Sequence, residues 1–130
     1  LPSAVVGELS QPATPPAVRA WMGHLPEWAT VRTARTSIPG LPAKLGRGER
    51  EAIALAEELS ADVLLADDEA ARSAAERRGI PVQGTLGVLD TAAQHGLVAD
   101  LLGALQRLKA TNFRASQKLF DYILERHRLS

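Results

Sequence analysis

Apolar positions along this chain change period several times, and each change marks out an expected element. From Glu49 onward, Ala52, Leu55, Ala56 and Leu59 fall at i, i+3, i+4 and i+7, with Ile53 widening the stripe, which predicts an amphipathic helix. A continuous apolar run follows at 63–66, as expected of a parallel strand covered on both faces. The acidic pair Asp67-Asp68 comes next, then a helix over 69–78 that Gly79 ends in the left-handed cap position. A short strand is expected at 80–83, where Pro81 places it near an edge or a strand start.

Upstream, Pro2 opens a first helix with Ala4, Val5 and Leu9 on its apolar side. A proline-rich turn over 11–16 leads to a second helix, in which Val18, Trp21, Met22 and Leu25 form a core stripe. Residues 28–32 alternate and include β-branched side chains, which predicts a short edge strand, and 33–44 read as irregular. Downstream, the turn at 84–87 leads with Thr85 as its cap into a helix over 88–94. A helix over 100–109 uses Leu101, Leu102, Leu105 and Leu108, and a last one is capped by Ser116 with Leu119, Phe120, Ile123 and Leu124 inward. Helices alternating with buried-type strands predict an α/β fold with a mostly parallel sheet. Only three strands are in view, few for such a sheet. The chain also opens on Leu1-Pro2, and its single methionine is Met22. A piece of a longer polypeptide lacking an N-terminal βα unit is therefore expected.

Composition narrows the chemistry. A length of 130 residues suits one domain, and the apolar and charged fractions of 45% and 23% are those of an ordinary globular protein. With no cysteine, disulfides, thiolate metal sites and cysteine nucleophiles are excluded. No run approaches the ~18 apolar residues of a membrane span and no signal peptide is present, so the expected location is cytoplasmic. Net charge is zero, but residues 1–100 carry 9 Lys/Arg against 13 Asp/Glu while 101–130 carry 6 against 2. Lys118, Arg126 and Arg128 lie outside the last helix's apolar stripe, available to RNA, to a partner or to solvent.

The candidate chemistry lies in carboxylates. Taking about 100° per residue, Glu49 falls within about 60° of its helix's apolar stripe, whereas Glu51 and Glu58 lie on the outer side. At the first turn Glu49 is also favoured by the helix dipole, which is its structural explanation. Asp67 and Asp68 follow the buried-type strand, in the crevice where open α/β sheets bind ligands. A helix cap accounts for one of these aspartates and leaves the other. Glu8 projects near the apolar side of the first helix. His24 and His95 have no partners at ligand spacing and read as helix-end residues. Gly46 and Gly48 lack the order of a phosphate-binding glycine loop, which makes a nucleotide-binding domain a poor third reading. Hard oxygen donors alone suit Mg²⁺ or Mn²⁺, whose common use is phosphate chemistry.

The run GE-x₂-AI-x-LA, then VLLADDEAAR, then GIPVQGTLGVL resembles the PIN-like family of predicted nucleic-acid-binding proteins. The similarity continues through AAQHGLV and FRAS-x₂-L-x₃-IL, with PSAVVGEL resembling the family's early helix and PEWATVR its edge strand. The resemblance implies a three-layer α/β/α domain acting as a Mg²⁺- or Mn²⁺-dependent endoribonuclease on RNA. It further implies a toxin neutralised by a small antitoxin, and a homodimer. On it, Glu8 matches the early glutamate, Glu49 the acid opening the central helix, and Asp67 or Asp68 the acid after the following strand. These four are the expected catalytic and metal-binding residues. The family's first-strand aspartate has no counterpart here, so a weakened enzyme is expected, one impaired in metal binding. The alternative reading is a non-catalytic PIN-like module that binds protein or RNA.

Overall fold

The computed structural model describes residues 1–128, so the last two residues of the expected domain lie outside it. The chain divides into two compact units, one spanning residues 1–83 and the other starting at Gly84. The first unit runs α1 (Ser3–Leu9), α2 (Pro16–Gly23), α3 (Arg47–Glu58), β1 (Leu64–Leu65), α4 (Glu69–Arg77) and β2 (Val82–Gln83). The second is helical: α5 (Thr85–Gln94), α6 (Leu101–Lys109) and α7 (Gln117–His127). Among the described residues no helix is long and apolar enough to cross a membrane.

In the first unit β1 and β2 pair in parallel, Leu64 opposite Val82 and Leu65 opposite Gln83. The ladder closes through Leu64 N–H to Pro81 O at 2.8 Å and Ala66 N–H to Gln83 O at 3.0 Å. With α4 as crossover, this is one β-α-β unit, and helices with a small parallel sheet make the chain α/β. Its core gathers Ile53 and Ala56 of α3, Leu64 of β1, Ala71, Ala74 and Ala75 of α4, and Ile80. Alanines dominate α4's inner face, which lets its backbone lie close to α3. Gly79 ends α4 with φ of 76°, the left-handed conformation the sequence predicts.

Several expectations need correction. The strand expected at 28–32 is reduced to one parallel bridge between Pro2 and Arg32, and on the C-terminal side Ser3 already begins α1. Trp28 is 80% exposed. The stripe on α2 is not a core: Trp21 is exposed and none of the helix's residues is buried. The run at 63–66 is covered on one face only. Leu64 and Leu65 point to opposite faces, the core takes Leu64, and Leu65 is left 63% exposed. Leu59 is also exposed, since it is the residue past the last turn of α3.

Two glutamates assigned to the outer side of α3 are structural anchors instead. Glu51 accepts hydrogen bonds from Ser3 Oγ and Ala4 N–H, both at 2.8 Å, and from Ala34 N–H at 3.4 Å. Glu58 accepts from Arg35 N–H at 2.8 Å and from Thr36 N–H and Oγ at 2.9 Å. The irregular stretch beyond the Arg32 bridge thus takes its order from two carboxylates about two turns apart on α3. Those hydrogen bonds, led by Ala4 for Glu51 and Thr36 for Glu58, hold both carboxyls below their ordinary range.

The second unit packs Leu86, Leu105, Phe120 and Ile123 together, with Phe113 set edge-on to Phe120 at 6.4 Å. Asp100 caps α6 through Gly103 N–H at 2.9 Å, and Ser116 caps α7 through Leu119 N–H at 3.2 Å. Thr85 is not a cap: α5 starts at Thr85, three residues earlier than expected, with Gly84 at its N-cap. Leu102 and Leu119 are exposed rather than inward. Asp90 of α5 holds α7 by Arg126 at 2.6 Å and His127 at 2.7 Å, so Arg126 is ion-paired while its side chain stays 39% exposed.

Candidate metal centre

The expected site residues sit on the donors that helix N-termini leave unpaired. Gly46 is the N-cap of α3, which places Glu49 at the third helical position. From there its carboxylate takes a hydrogen bond from the Gly46 backbone, the reach-back half of a capping box. Glu8, at the end of α1, crosses to α3 and accepts from Gly48 N–H at 3.2 Å. Asp68 is the N-cap of α4, its Oδ2 accepting from Ala71 N–H at 2.9 Å. Capping and the helix dipole therefore account for where each of these acids points.

They also act on one another. Burial raises Glu49 above its ordinary carboxyl range, and the negative charges of Asp68 and then Glu8 raise it further, against the Gly46 hydrogen bond. Glu49 thus lies within the field of acids from both sides, α1 and the β1–α4 junction. Asp67 is exposed at the end of β1 and does not figure among the charges that move Glu49. Asp68 is turned to the α4 terminus and is felt by Glu49.

Gly48 is what allows this approach. A Cβ there would stand 2.8 and 3.0 Å from the Glu8 carboxylate oxygens and 3.0 Å from Val5 Cγ2. The glutamate tip can swing away, but Val5 Cγ2 must also give by a few tenths of an ångström where α1 meets α3. Gly48→Ala is expected to cost about 1–3 kcal/mol of stability and to drive the Glu8 carboxylate off the α3 terminus. Urea unfolding gives the first quantity. A chemical shift of the Gly48 amide unchanged between wild type and Glu8→Gln would show that the Glu8 contact is absent to begin with.

A divalent cation suits this donor set in kind, because only oxygen ligands are offered and a cation would offset the repulsion that raises Glu49. The spacing is looser: among the described residues no group of three His, Cys, Asp or Glu is gathered closely enough to hold a metal ion. What the fold brings together is a chain of acids, Glu8 to Glu49 to Asp68, each anchored to a helix end. The residues missed by sequence reasoning are Gly46 and Gly48. Their spacing was visible, but only the approach of α1 explains why the second must be glycine.

Comparison with curated proteins and with solved structures gives no match. A family model described as PIN domain matches residues 1–128, nearly the whole chain. That match points to a nuclease or nucleic-acid-related function, and PIN domains generally use divalent metal ions. On this extent of match, the chain belongs to the PIN-domain family.

Proposed function

We propose that this protein is a Mg²⁺- or Mn²⁺-dependent endoribonuclease of PIN type, with Glu8, Glu49 and Asp68 holding the ion and Asp67 beside them. The observation that carries the reading is Glu49, raised by burial and by acids from both sides. A carboxyl held in that field has more to gain from a cation than an isolated surface glutamate does. When bound, the ion supplies an activated water and neutralises the charge building on the phosphodiester.

The protein's own groups have separate tasks in this reading. Gly48 N–H and Gly46 N–H hold the Glu8 and Glu49 carboxylates at the mouth of α3, so neither must be ordered when substrate arrives. Asp68 is divided between two tasks, with Oδ2 on the α4 cap and the rest of its charge toward Glu49. Asp67, one residue nearer β1, is exposed as well and is the second aspartate for meeting substrate-side water or cation.

The fold that goes with this reading is one three-layer α/β/α domain comprising both units, which the family match across residues 1–128 supports. A further layer over the outer face of β1 is supported by the exposure of Leu65, an apolar strand residue left 63% exposed. An additional βα unit supplying the first-strand aspartate belongs to the same proposal. The toxin role, a small antitoxin partner, a homodimer and a cytoplasmic setting rest on the resemblance alone.

The test is cleavage of single-stranded RNA with Mg²⁺ or Mn²⁺, with and without EDTA, followed by metal titration of the protein alone. Chelator-sensitive cleavage together with saturable Mn²⁺ binding is the expected result. RNA bound but left intact at saturating metal would favour the non-catalytic binding module, and cleavage indifferent to EDTA would overturn the metal site.

A further inference from the structure

Arg47, Arg50, Glu51 and Ala54 stand at i, i+3, i+4 and i+7 on α3 and share one face of it, roughly opposite the face that carries Glu49. Together with the loop at 34–38, that face encloses a cleft of about 290 Å³. Its charged lining is Arg35, Arg47, Arg50 and Glu51. That is three positive charges against one negative, a local balance of plus two in a chain whose total is zero.

The one carboxylate is directed elsewhere. Glu51 spends its oxygens on Ser3, Ala4 and Ala34, and it makes no ion pair with any of the three arginines among the described residues. Arg50 is held in place by carbonyls rather than by an acid: Nε donates to Leu45 O at 3.0 Å and Nη2 to Pro42 O at 2.7 Å. Its charge is therefore fixed in orientation and not neutralised. Arg35 feels the charge of Glu58, which also binds the loop backbone beside it, while Arg47 forms no salt bridge among the described residues. Ser37 adds a hydroxyl to the lining.

Guanidinium groups converging on a cleft, with one of them pre-oriented, match the planar two-point recognition of a tetrahedral oxyanion. We propose that this cleft is a phosphate-binding site, taking a phosphate group either free or carried by a nucleic-acid strand. A surplus of two positive charges suits a phosphate group better than a carboxylate, and an open cleft of this size admits the group with its ester substituent outside. Phosphate recognition here requires neither bound metal nor strand cleavage, so it stands or falls separately from the nuclease reading.

The experiment is an amide-resolved NMR titration of the full chain with inorganic phosphate, ionic strength being held constant with chloride so that general screening is matched. Saturable shifts confined to Arg35–Ile38 and Arg47–Glu51 are expected. Arg47→Gln, an exposed substitution compatible with the fold, should weaken binding by about tenfold or more, the loss of a charge-assisted pair. Arg107→Gln, at an exposed arginine of the second unit, should leave the phosphate titration unchanged. Two short RNA oligonucleotides, with and without a 5′-phosphate, identify the source. Preference for the phosphorylated strand assigns a terminal phosphate, equal binding of both an internal phosphodiester, and binding of neither a free anion. Shifts that chloride reproduces, or a titration that Arg47→Gln does not alter, would overturn the proposal.

Discussion

Glu49→Gln is expected to lower RNA cleavage by about a hundredfold or more while leaving the protein as stable as before or slightly more so. The loss follows from removing a charge on which cation binding depends, an effect of the size seen when one electrostatic partner of a transition state is deleted. The gain follows from the sign of the shift. Folding raises Glu49 above its ordinary value of 4.5, by burial first and then by Asp68 and Glu8. The folded state therefore holds the Glu49 proton more tightly than the unfolded one. The resulting penalty is absent below 4.5, grows as pH rises from there, and is complete above the raised folded value. Glutamine removes that penalty and can still accept the Gly46 hydrogen bond. Solvent screening limits the gain to at most about 1 kcal/mol. Metal affinity runs the other way, falling as pH drops through the raised value, because proton and cation compete for the same oxygens. Parallel measurement of cleavage, Mn²⁺ binding and urea midpoint separates the cases. A variant that cleaves like wild type would remove Glu49 from the site, and one that loses both activity and several kcal/mol would show a structural role only.

The second large effect is expected at Ile53. This side chain is 0% exposed, and it fills the space where α3 meets β1 and α4. Truncation to alanine leaves a cavity among Leu64, Ala71, Ala75 and Ile80, several of which are too small to move in and close it. A cost of about 2–5 kcal/mol is expected, against about 0.5–1.5 kcal/mol for Ile53→Val. Set beside the ~5–15 kcal/mol of an ordinary domain, the alanine variant should lie close to unfolding. Both tryptophans, Trp21 and Trp28, belong to the first unit, so their fluorescence during urea unfolding reports on it selectively. Since α3 also carries Glu49, the same variant should bind Mn²⁺ less well in proportion to the unit it unfolds. An unfolding midpoint within about 0.5 kcal/mol of wild type would mean that Ile53 is not the keystone of this core.

The helices reappear with shifted ends because their signals are local. Apolar spacing found α3, α6 and α7, Gly79 ended α4, and Ser116 began α7, each through a bond to a residue a few positions away. The strands fared worse. An apolar run such as 63–66 carries no information about how many faces are covered, and only Leu64 of that run is buried. The segment at 28–32 had strand character, yet among the described residues it forms only the bridge at Arg32.

For the acidic site, sequence by itself determined which residue types were on offer: oxygen donors, no thiolate, and acids at the two places where helices begin. Helix starts attract acids for a local electrostatic reason, so their positions could be read without coordinates. Only the tertiary structure decided how these acids relate. It brought Glu8 across to Gly48, 40 residues away, and put Glu49 in the field of Asp68 and Glu8. It also turned Glu51 from an outward helix residue into the tether of α1 and of the loop, leaving three arginines around a cleft. Those outcomes depend on where separate elements come to rest, and close approach is set by packing between residues far apart in the chain. Spacing along one helix specifies a face; what meets that face is decided by the fold.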